Sequence, residues 1–220
     1  MPTRRSLLLG SGAGLVGLVA RAGSGHAREA ERREEIVVPV AVAVAQRSAE
    51  VDGEATLVPV VEPGFVTAQL YEANEVFGEH GIRFVEHVGR RTLPETAARL
   101  ETRADRDALA DAMQPQVANV YFVESLRDVD TPSLMRMGVC WRKLSNLAKR
   151  YVIVAASAMP TTLAHELGHF LGNGHAYVKN NLMSYERDGG KVFLDAAQAR
   201  RSRTTAARLL ASKELVRVAR

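Results

Sequence analysis

Residues 161–175 read TTLAHELGHFLGNGH, and this stretch decides both the fold and the chemistry that we predict. Its leucines, alanine and histidines indicate a helix over residues 161–171. Residues four apart lie one turn apart on the same face of a helix, so His165 and His169 point to one side. The carboxylate of Glu166 follows His165 directly and lies beside that face.

The residues after this helix supply a third imidazole. Gly172 comes three residues after His169, and His175 comes three after that. Glycine adopts positive φ without steric cost, so the chain can reverse there and bring His175 back to the other two histidines. A catalytic zinc ion takes three protein ligands and leaves one position open. We therefore predict one Zn²⁺ held by His165, His169 and His175, with Glu166 as general base.

These positions match the pattern H-E-x-x-H-x-x-G-x-x-H, and the chain resembles the metzincin clan of zinc endopeptidases. Residues 181–185, NLMSY, resemble the clan's Met-turn. The resemblance implies that Met183 lies beneath the metal and that Gly172 supports the turn of the chain. It leaves two roles open for Tyr185, which either reaches the zinc or the transition state or is a buried structural side chain. The subfamily is not assigned by these residues.

The resemblance also implies the architecture. We expect an α+β, zincin-like fold with a mixed twisted β-sheet covered by helices, an active-site helix, and a small C-terminal subdomain that carries the Met-turn and a terminal helix. Residues 28–220 would form a single zinc peptidase domain. A substrate peptide would lie extended along an edge strand, for which we select residues 138–141. Trp141 in that strand is expected either to shape the cleft or to belong to the core.

Hydrophobic patterning predicts the elements around the site. Predicted strands cover residues 36–45, 57–61, 82–88, 118–123, 138–141 and 151–155. Predicted helices cover 65–80, 93–113 with irregular parts, 161–171 and 195–215, and residues 46–54 are assigned to a turn or loop. Gly81 is expected to close the first of these helices, Thr161 or Thr162 to cap the third, and Asp195 to cap the last.

Cysteine usage and charge exclude other classes of protein. The chain of 220 residues has one cysteine, Cys140, so an intrachain disulfide and a multi-cysteine zinc site are both excluded. We interpret Cys140 as a small buried hydrophobic residue. The formal net charge is +4 and falls to +1 when Arg4, Arg5 and Arg21 are removed with the segment described next. A nearly neutral mature chain favours a peptide or protein substrate and not nucleic acid.

The N-terminal segment has the pattern of an export signal. Arg4 and Arg5 precede an apolar run over residues 7–20 and resemble a twin-arginine signal. Cleavage is expected after Ala27, with Ala22 as the second candidate, and a retained membrane anchor is the alternative. We therefore expect an exported, periplasmic or extracellular monomer that makes no membrane contact in its mature form.

Three functions remain open from the sequence. The first is a zinc-dependent endopeptidase that hydrolyses peptide bonds. The second is a non-catalytic zinc-dependent module that binds peptides, although Glu166 argues against it because a pure binder needs no base. The third is a zinc hydrolase of a non-peptide amide, which the Met-turn resemblance makes less favoured.

Overall fold

A long first strand organises the main sheet. The computed structural model describes residues 34–218, so the predicted signal segment 1–27 lies outside the described residues. The strands are β1 (Ile36–Val51), β2 (Glu54–Pro59), β3 (Ile82–Glu86), β4 (Arg91–Leu93), β5 (Arg99–Leu100), β6 (Ala118–Val123), β7 (Ser125–Leu126), β8 (Gly138–Arg142) and β9 (Arg150–Ala155). The helices are α1 (Pro63–Gly78), α2 (Arg103–Ala108), α3 (Thr162–Phe170) and α4 (Ala196–Ala211), with short 3-10 segments at Glu95–Ala97 and Leu109–Ala112.

The main sheet of the described residues is mixed. Its strand order is β2-β1-β6-β9-β8, and β3 and β4 also pair with β1. The pairs that β1 makes with β3, β4 and β6, and the pair between β6 and β9, are parallel. The outer strands β2 and β8 are antiparallel to their neighbours. The predicted α+β class with a mixed sheet covered by helices is therefore confirmed.

Two hydrophobic layers cover the two faces of the sheet. Val120 and Phe122 of β6 face the larger layer, which α1, α3 and part of α4 complete. Tyr121 and Val123 face the smaller layer, to which β5, β7 and the 3-10 segment after α2 contribute. This alternation follows from the two-residue period of a strand, and both faces are buried because the central strands are parallel. The active-site helix α3 consequently packs on the larger layer, directly beneath the sheet.

The first correction concerns residues 46–54, which we predicted as a turn or loop. The structure continues β1 through Val51 and pairs Val51 with Glu54 of β2 in an antiparallel hairpin. Asp52 and Gly53 form the connection with φ of 52° and 84°. An Asp-Gly pair is a strong hairpin signal because both positions of the tightest turn need positive φ. The exposed, polar strands hid this signal, since they lack a buried face.

The second correction concerns residues 93–113, which we predicted as mainly helix. The structure places β4, a 3-10 turn and β5 there before the short helix α2 begins. Pro94 follows β4 directly and cannot donate a hydrogen bond, so it disfavours a continuous helix. Thr102 and Asp105 form a capping box at the start of α2. Only Arg103–Ala108 is therefore α-helical in this stretch.

The remaining elements follow the prediction closely. The predicted strand 118–123 is β6, and the predicted edge strand is β8, which ends the strand order. Gly81 has φ of 67° three residues after α1 ends. Asp195 caps α4 in a capping box with Gln198, as expected from its position. Within residues 34–218, no helix is both long and apolar enough to cross a membrane.

Candidate metal centre and catalytic site

A glutamine on α1 positions the start of the active-site helix. Thr161 occupies the N-cap position of α3, but its side chain makes no capping hydrogen bond, so the threonine cap that we predicted is wrong. Gln69 is buried and takes over this role. Its Oε1 accepts the N–H of Leu163 at 2.9 Å, and its Nε2 donates to the carbonyl of Met159 at 2.8 Å. The contacts of Gln69 on α1 therefore fix the residue at which α3 begins.

The three predicted ligand residues converge at one point. His165 Nε2 and His175 Nε2 each lie 3.1 Å from His169 Nε2. Gly172 has φ of 89°, and the N–H of Asn173 donates to the carbonyl of Gly168 at 3.0 Å, which ends the helix and turns the chain back. The ligand atoms of the three histidines all lie within 4.8 Å of one another, so these residues can hold a metal ion.

Backbone carbonyls orient two of the imidazole rings. His165 Nδ1 donates to the carbonyl of Leu182 at 2.7 Å, and His169 Nδ1 donates to the carbonyl of Asn173 at 2.8 Å. These contacts place the N–H on Nδ1 and leave the lone pair of Nε2 for a metal. Burial lowers the pKa of His165 to about 4 and also lowers that of His169. Both rings are therefore neutral near pH 7, as metal ligation requires.

The carboxyl group of Glu166 lies beside this cluster under the edge of the sheet. The residue is 7% exposed, and burial raises the pKa of its carboxyl group to about 7, against a backbone hydrogen bond from Cys140 that lowers it. Strand β8 crosses close above α3 at Gly138. A Cβ atom there would lie 2.9 Å from Glu166 Cγ and 2.7 Å from Thr162 Cγ2, so only glycine fits. Gly138 thus allows the edge strand to approach Glu166.

A tight turn packs Met183 beneath the helix, where we predicted the Met-turn. The N–H of Ser184 donates to the carbonyl of Asn181 at 2.9 Å, and the N–H of Met183 donates to Asn181 Oδ1 at 2.9 Å. Met183 is fully buried. A Cβ on Gly168 would overlap its sulfur, so the glycine of the helix makes room for the methionine.

Tyr185 lies at the mouth of the site. Its hydroxyl oxygen is 2.7 Å from His175 Nε2, and its ring centroid is 4.8 Å from that of His175. The residue is 72% exposed, which excludes the alternative of a buried structural tyrosine. Burial still raises the pKa of its phenol, so the hydroxyl is a proton donor near neutral pH.

Helix α4 supports the residues that carry the orienting carbonyls. Asn173 Nδ2 donates to Ser202 Oγ at 2.7 Å. Asn181 and Gln198 exchange two side-chain hydrogen bonds of 2.7 Å and 3.1 Å. All four side chains are buried. The terminal helix is therefore part of the site and not only a cover.

Sequence reasoning missed these supporting residues. Arg187 Nη1 donates to the carbonyls of Asn181 and Ser184, and Nη2 donates to that of Leu182, so one guanidinium binds three carbonyl oxygens of the turn. Neither Arg187 nor Gln69 belongs to a motif that we could identify. The two contacts of Gln69 span 90 and 94 positions of the chain, and no local sequence pattern predicts them.

Two cavities open on either side of the site. The first, of about 450 Å³, has an apolar wall from Met135, Met137, Met159 and Val192. The second, of about 470 Å³, is lined by Cys140, Arg142 and Arg150, among others, and also reaches His175 and Tyr185. The two cavities form a cleft along β8.

The other residues that we singled out on β8 belong mainly to the core. Trp141 is buried in the smaller hydrophobic layer, and its indole N–H donates to Asp107 Oδ1 at 2.7 Å. Cys140 packs against the larger layer, and burial raises the pKa of its thiol to about 12. The thiol is therefore protonated and unreactive near neutral pH.

Comparison with known proteins gives a likeness in structure but none in sequence. No protein-family model matches the chain, and no curated protein matches it in sequence. Among solved structures, the chain is similar to metalloproteinase-II from Bacteroides fragilis, with 14% identity and a TM-score of 0.49. The match covers 79% of this chain and 55% of that protein, so the chain spans about half of its length. The convergence of the three histidines, and not this likeness, carries the functional argument.

Proposed function

We propose that this protein is a zinc-dependent endopeptidase. The observation that carries the proposal is the convergence of the Nε2 atoms of His165, His169 and His175 beside the carboxyl group of Glu166. A set of three imidazoles is typical of catalytic zinc sites, which keep one position open. In the part of the chain that the structure describes, no further Asp, Glu, Cys or His joins this group.

The donor set fits zinc. Two of the rings have their Nδ1 atoms held by carbonyls, so that their Nε2 lone pairs point into the common space. Bound zinc would supply the Lewis acidity that activates a water molecule and polarises a substrate carbonyl. A second group must then handle protons, since hydrolysis of an amide needs proton transfer to the leaving nitrogen.

Glu166 is the residue placed for that proton transfer. It accepts a proton from the attacking water and delivers it to the departing amine. Its position under Gly138 keeps the carboxylate within the cleft and away from bulk water. Tyr185, whose hydroxyl lies 2.7 Å from His175 Nε2, donates a hydrogen bond to the substrate oxygen that gains negative charge.

The free edge of β8 binds the substrate backbone. The N–H of Ala155 donates to the carbonyl of Met137, and the N–H of Lys143 donates to that of Lys149. In an antiparallel pair the intervening residues turn their backbone groups the other way. The backbone groups of Gly138, Cys140 and Arg142 therefore face outward. Apart from the N–H of Cys140, which bonds Glu166, they are available to an extended peptide that adds a strand.

Adjoining features complete the proposal. An apolar side chain of the substrate enters the cavity that the methionines line. We also propose that the protein is exported by the twin-arginine route and acts as a monomer on a peptide or protein substrate, without nucleic acid or membrane. The charge and the N-terminal residues support this part of the proposal.

A library experiment tests the endopeptidase function. The purified protein is assayed for bound zinc and incubated with a mixed peptide library, with and without a chelator. We expect about one zinc per chain and chelator-sensitive cleavage that Glu166→Ala abolishes. The matched control Glu75→Ala, an exposed carboxylate on α1, should cleave like the original protein. Stoichiometric zinc without cleavage of any peptide would favour a binding module, and cleavage that survives Glu166→Ala would overturn the role of the base.

A further inference from the structure

Two arginines face each other at one end of the cleft. Arg142 of β8 pairs directly with Arg150 of β9. Arg142 and Arg150 form a non-hydrogen-bonded pair, because the adjacent hydrogen bond joins Lys143 to Lys149, and side chains come closest in pairs of this kind. Like charges at directly opposite positions are destabilising in a sheet. Such an arrangement needs a compensating negative charge.

No acidic side chain of the described residues forms an ion pair with either arginine. Arg150 stacks on the ring of Phe170, with its Cζ 4.1 Å from the ring centroid, and is half-buried. Arg142 is exposed. Glu214 attracts Arg150 from a distance, but its carboxylate is held by Arg208 at 3.0 Å. The two guanidinium groups thus keep most of their hydrogen-bonding capacity free.

Besides the buried Glu166, two acidic residues line the same cavity, and both have partners already. Asp128 forms an ion pair with Arg136 and accepts the backbone N–H groups of Asp130 and Thr131. Asp130 forms an ion pair with Arg103 at 2.8 Å. Three arginines that line this cavity, Arg106, Arg142 and Arg150, therefore form no ion pair within the described residues, and of these Arg106 is buried whereas Arg142 and Arg150 are accessible.

We propose that Arg142 and Arg150 recognise an acidic side chain of the substrate, at a position on the N-terminal side of the scissile bond. This proposal rests on the endopeptidase function and adds the class of peptide that the enzyme prefers. A carboxylate suits paired guanidinium groups because it accepts several charge-assisted hydrogen bonds at once.

The geometry of β8 gives the position of that acidic residue. A peptide that adds antiparallel to β8 runs from the Arg142 end toward the Gly138 end, where Glu166 and the histidines lie. A strand rises about 3.4 Å per residue, and Arg142 lies two residues beyond Cys140 and four beyond Gly138. The acidic residue accordingly occupies the second to fourth position before the scissile bond. The methionine-lined cavity lies on the other side and takes an apolar residue after the bond.

Peptide series test this recognition. Each series keeps one apolar residue after the scissile bond and carries Glu, Gln or Lys at the second, third or fourth position before it. We expect the Glu peptides to be cleaved with the highest kcat/KM, mostly through a lower KM. Arg142→Gln should reduce the Glu-to-Gln ratio roughly three- to tenfold, and Arg142→Glu should shift the preference to Lys.

Two controls separate recognition from folding. Arg200→Gln removes an exposed arginine on α4, outside the cleft, and should leave the preference unchanged. Arg150→Lys keeps the positive charge beside Phe170. Part of the preference for Glu peptides should therefore remain if the charge of the side chain determines it. Equal cleavage of the Glu, Gln and Lys peptides by the original protein, or an unchanged preference in Arg142→Glu, would overturn the proposal.

A binding measurement keeps the inference separate from the proposed catalysis. Fluorescence anisotropy measures the binding of labelled Glu, Gln and Lys peptides to Glu166→Ala. Binding to this variant can be measured without cleavage of the peptides. Preferential binding of the Glu peptide, weakened by salt and by Arg142→Gln, supports recognition even if no peptide is cleaved. Cleavage without any preference for the Glu peptide would support the endopeptidase function but contradict the role of Arg142 and Arg150 in substrate recognition.

Discussion

His165 Nδ1 lies 2.7 Å from the carbonyl oxygen of Leu182, so the active-site helix and the turn that follows it are joined through a ligand ring. The same ring approaches His169 through its other nitrogen. One imidazole therefore connects the metal position to the turn that carries Met183. Substitutions on either side of this contact should therefore change both the zinc affinity and the free energy of unfolding.

Removal of a ligand should abolish zinc binding. His169→Ala deletes the central imidazole, whose Nε2 lies 3.1 Å from both other ligand nitrogens. After chelator treatment, zinc should raise the melting temperature of the original protein by about 10 °C, because binding to the folded state alone adds about 4 kcal/mol when zinc is a thousandfold above Kd. His169→Ala should show no such rise. His87→Ala changes an exposed histidine directly after β3 and should respond to zinc like the original protein, and an equal loss of the temperature rise there would contradict the assignment.

Gly168 and Met183 should be coupled. Gly168→Ala forces a Cβ into the space of the Met183 sulfur and should lower the free energy of unfolding by about 1–3 kcal/mol. Met183→Ala leaves a cavity and should cost about 2–5 kcal/mol. In the double variant the new methyl group occupies part of that cavity, so the two losses should not add. Urea unfolding of all three variants measures the coupling.

Gly78→Ala is the matched control for this pair. Gly78 is also helical, and a Cβ there would meet nothing within 4 Å. This change should be neutral or slightly stabilising, because alanine favours a helix over glycine. Simple additivity in the Gly168 and Met183 double variant would show that the two residues do not share space.

Ser202 should support the site from α4. Ser202→Ala leaves Asn173 Nδ2 without its partner in a residue whose Oδ1 already lacks one. We expect a loss of about 1–3 kcal/mol in the free energy of unfolding and zinc affinity lower by up to about tenfold, since Asn173 carries the carbonyl that orients His169. Chemical unfolding and competition with a zinc chelator measure the two effects. Thr204→Ala, exposed on the same helix, should change neither, and a matching effect there would argue against this role.

The carboxylate of Asp128 should contribute an acid-dependent part of the stability. The backbone N–H groups of Thr131 and Asp130, with Arg136, lower its pKa to about 2. An unfolded aspartate titrates near pH 4, so this contribution is fully present above about pH 4 and is lost as the pH falls toward 2. Asp128→Asn should be less stable at pH 7 and should lose less stability between about pH 4 and 2. Urea unfolding at several pH values tests this against Asp111→Asn, an exposed aspartate, and equal slopes in all three proteins would refute it.

The paired arginines near the N-terminus should direct export. Conversion of both Arg4 and Arg5 to lysine keeps the charge but removes the pair that resembles a twin-arginine signal. We expect the unprocessed chain to accumulate inside the cell, as measured by fractionation and immunoblotting. Arg21→Lys should still be exported, with an N-terminus that starts after Ala27. Normal export of the double variant would exclude this route.

The ligand residues could be predicted because their geometry is local. His165, His169, Gly172 and His175 lie within eleven positions, and helical periodicity with one glycine turn is enough to bring them together. The parallel pairing of β4 with β1 could not be predicted in this way, since it depends on which distant strand offers a free edge. The Asp52-Gly53 pair is a sequence signal for a hairpin. We did not predict the hairpin because its strands are exposed and lack the alternating hydrophobic pattern of a half-buried strand.

Local sequence patterns could not predict the residues that surround the site. Gln69 at the start of α3, Gly138 over Glu166 and Ser202 behind Asn173 each act across long stretches of chain. Their residue types are ordinary for a buried helix face or an edge strand. Only packing distinguishes them, because the same glutamine on another turn of α1 would face solvent or the core.

The position of α4 in the chain has a consequence for biosynthesis. Gln198 and Ser202 follow every ligand in order of translation, yet they hold the two asparagines behind the imidazoles. While the ribosome still covers them, the three histidines have emerged without their support. The hydrogen bonds that hold these two asparagines are thus complete only after translation has passed α4.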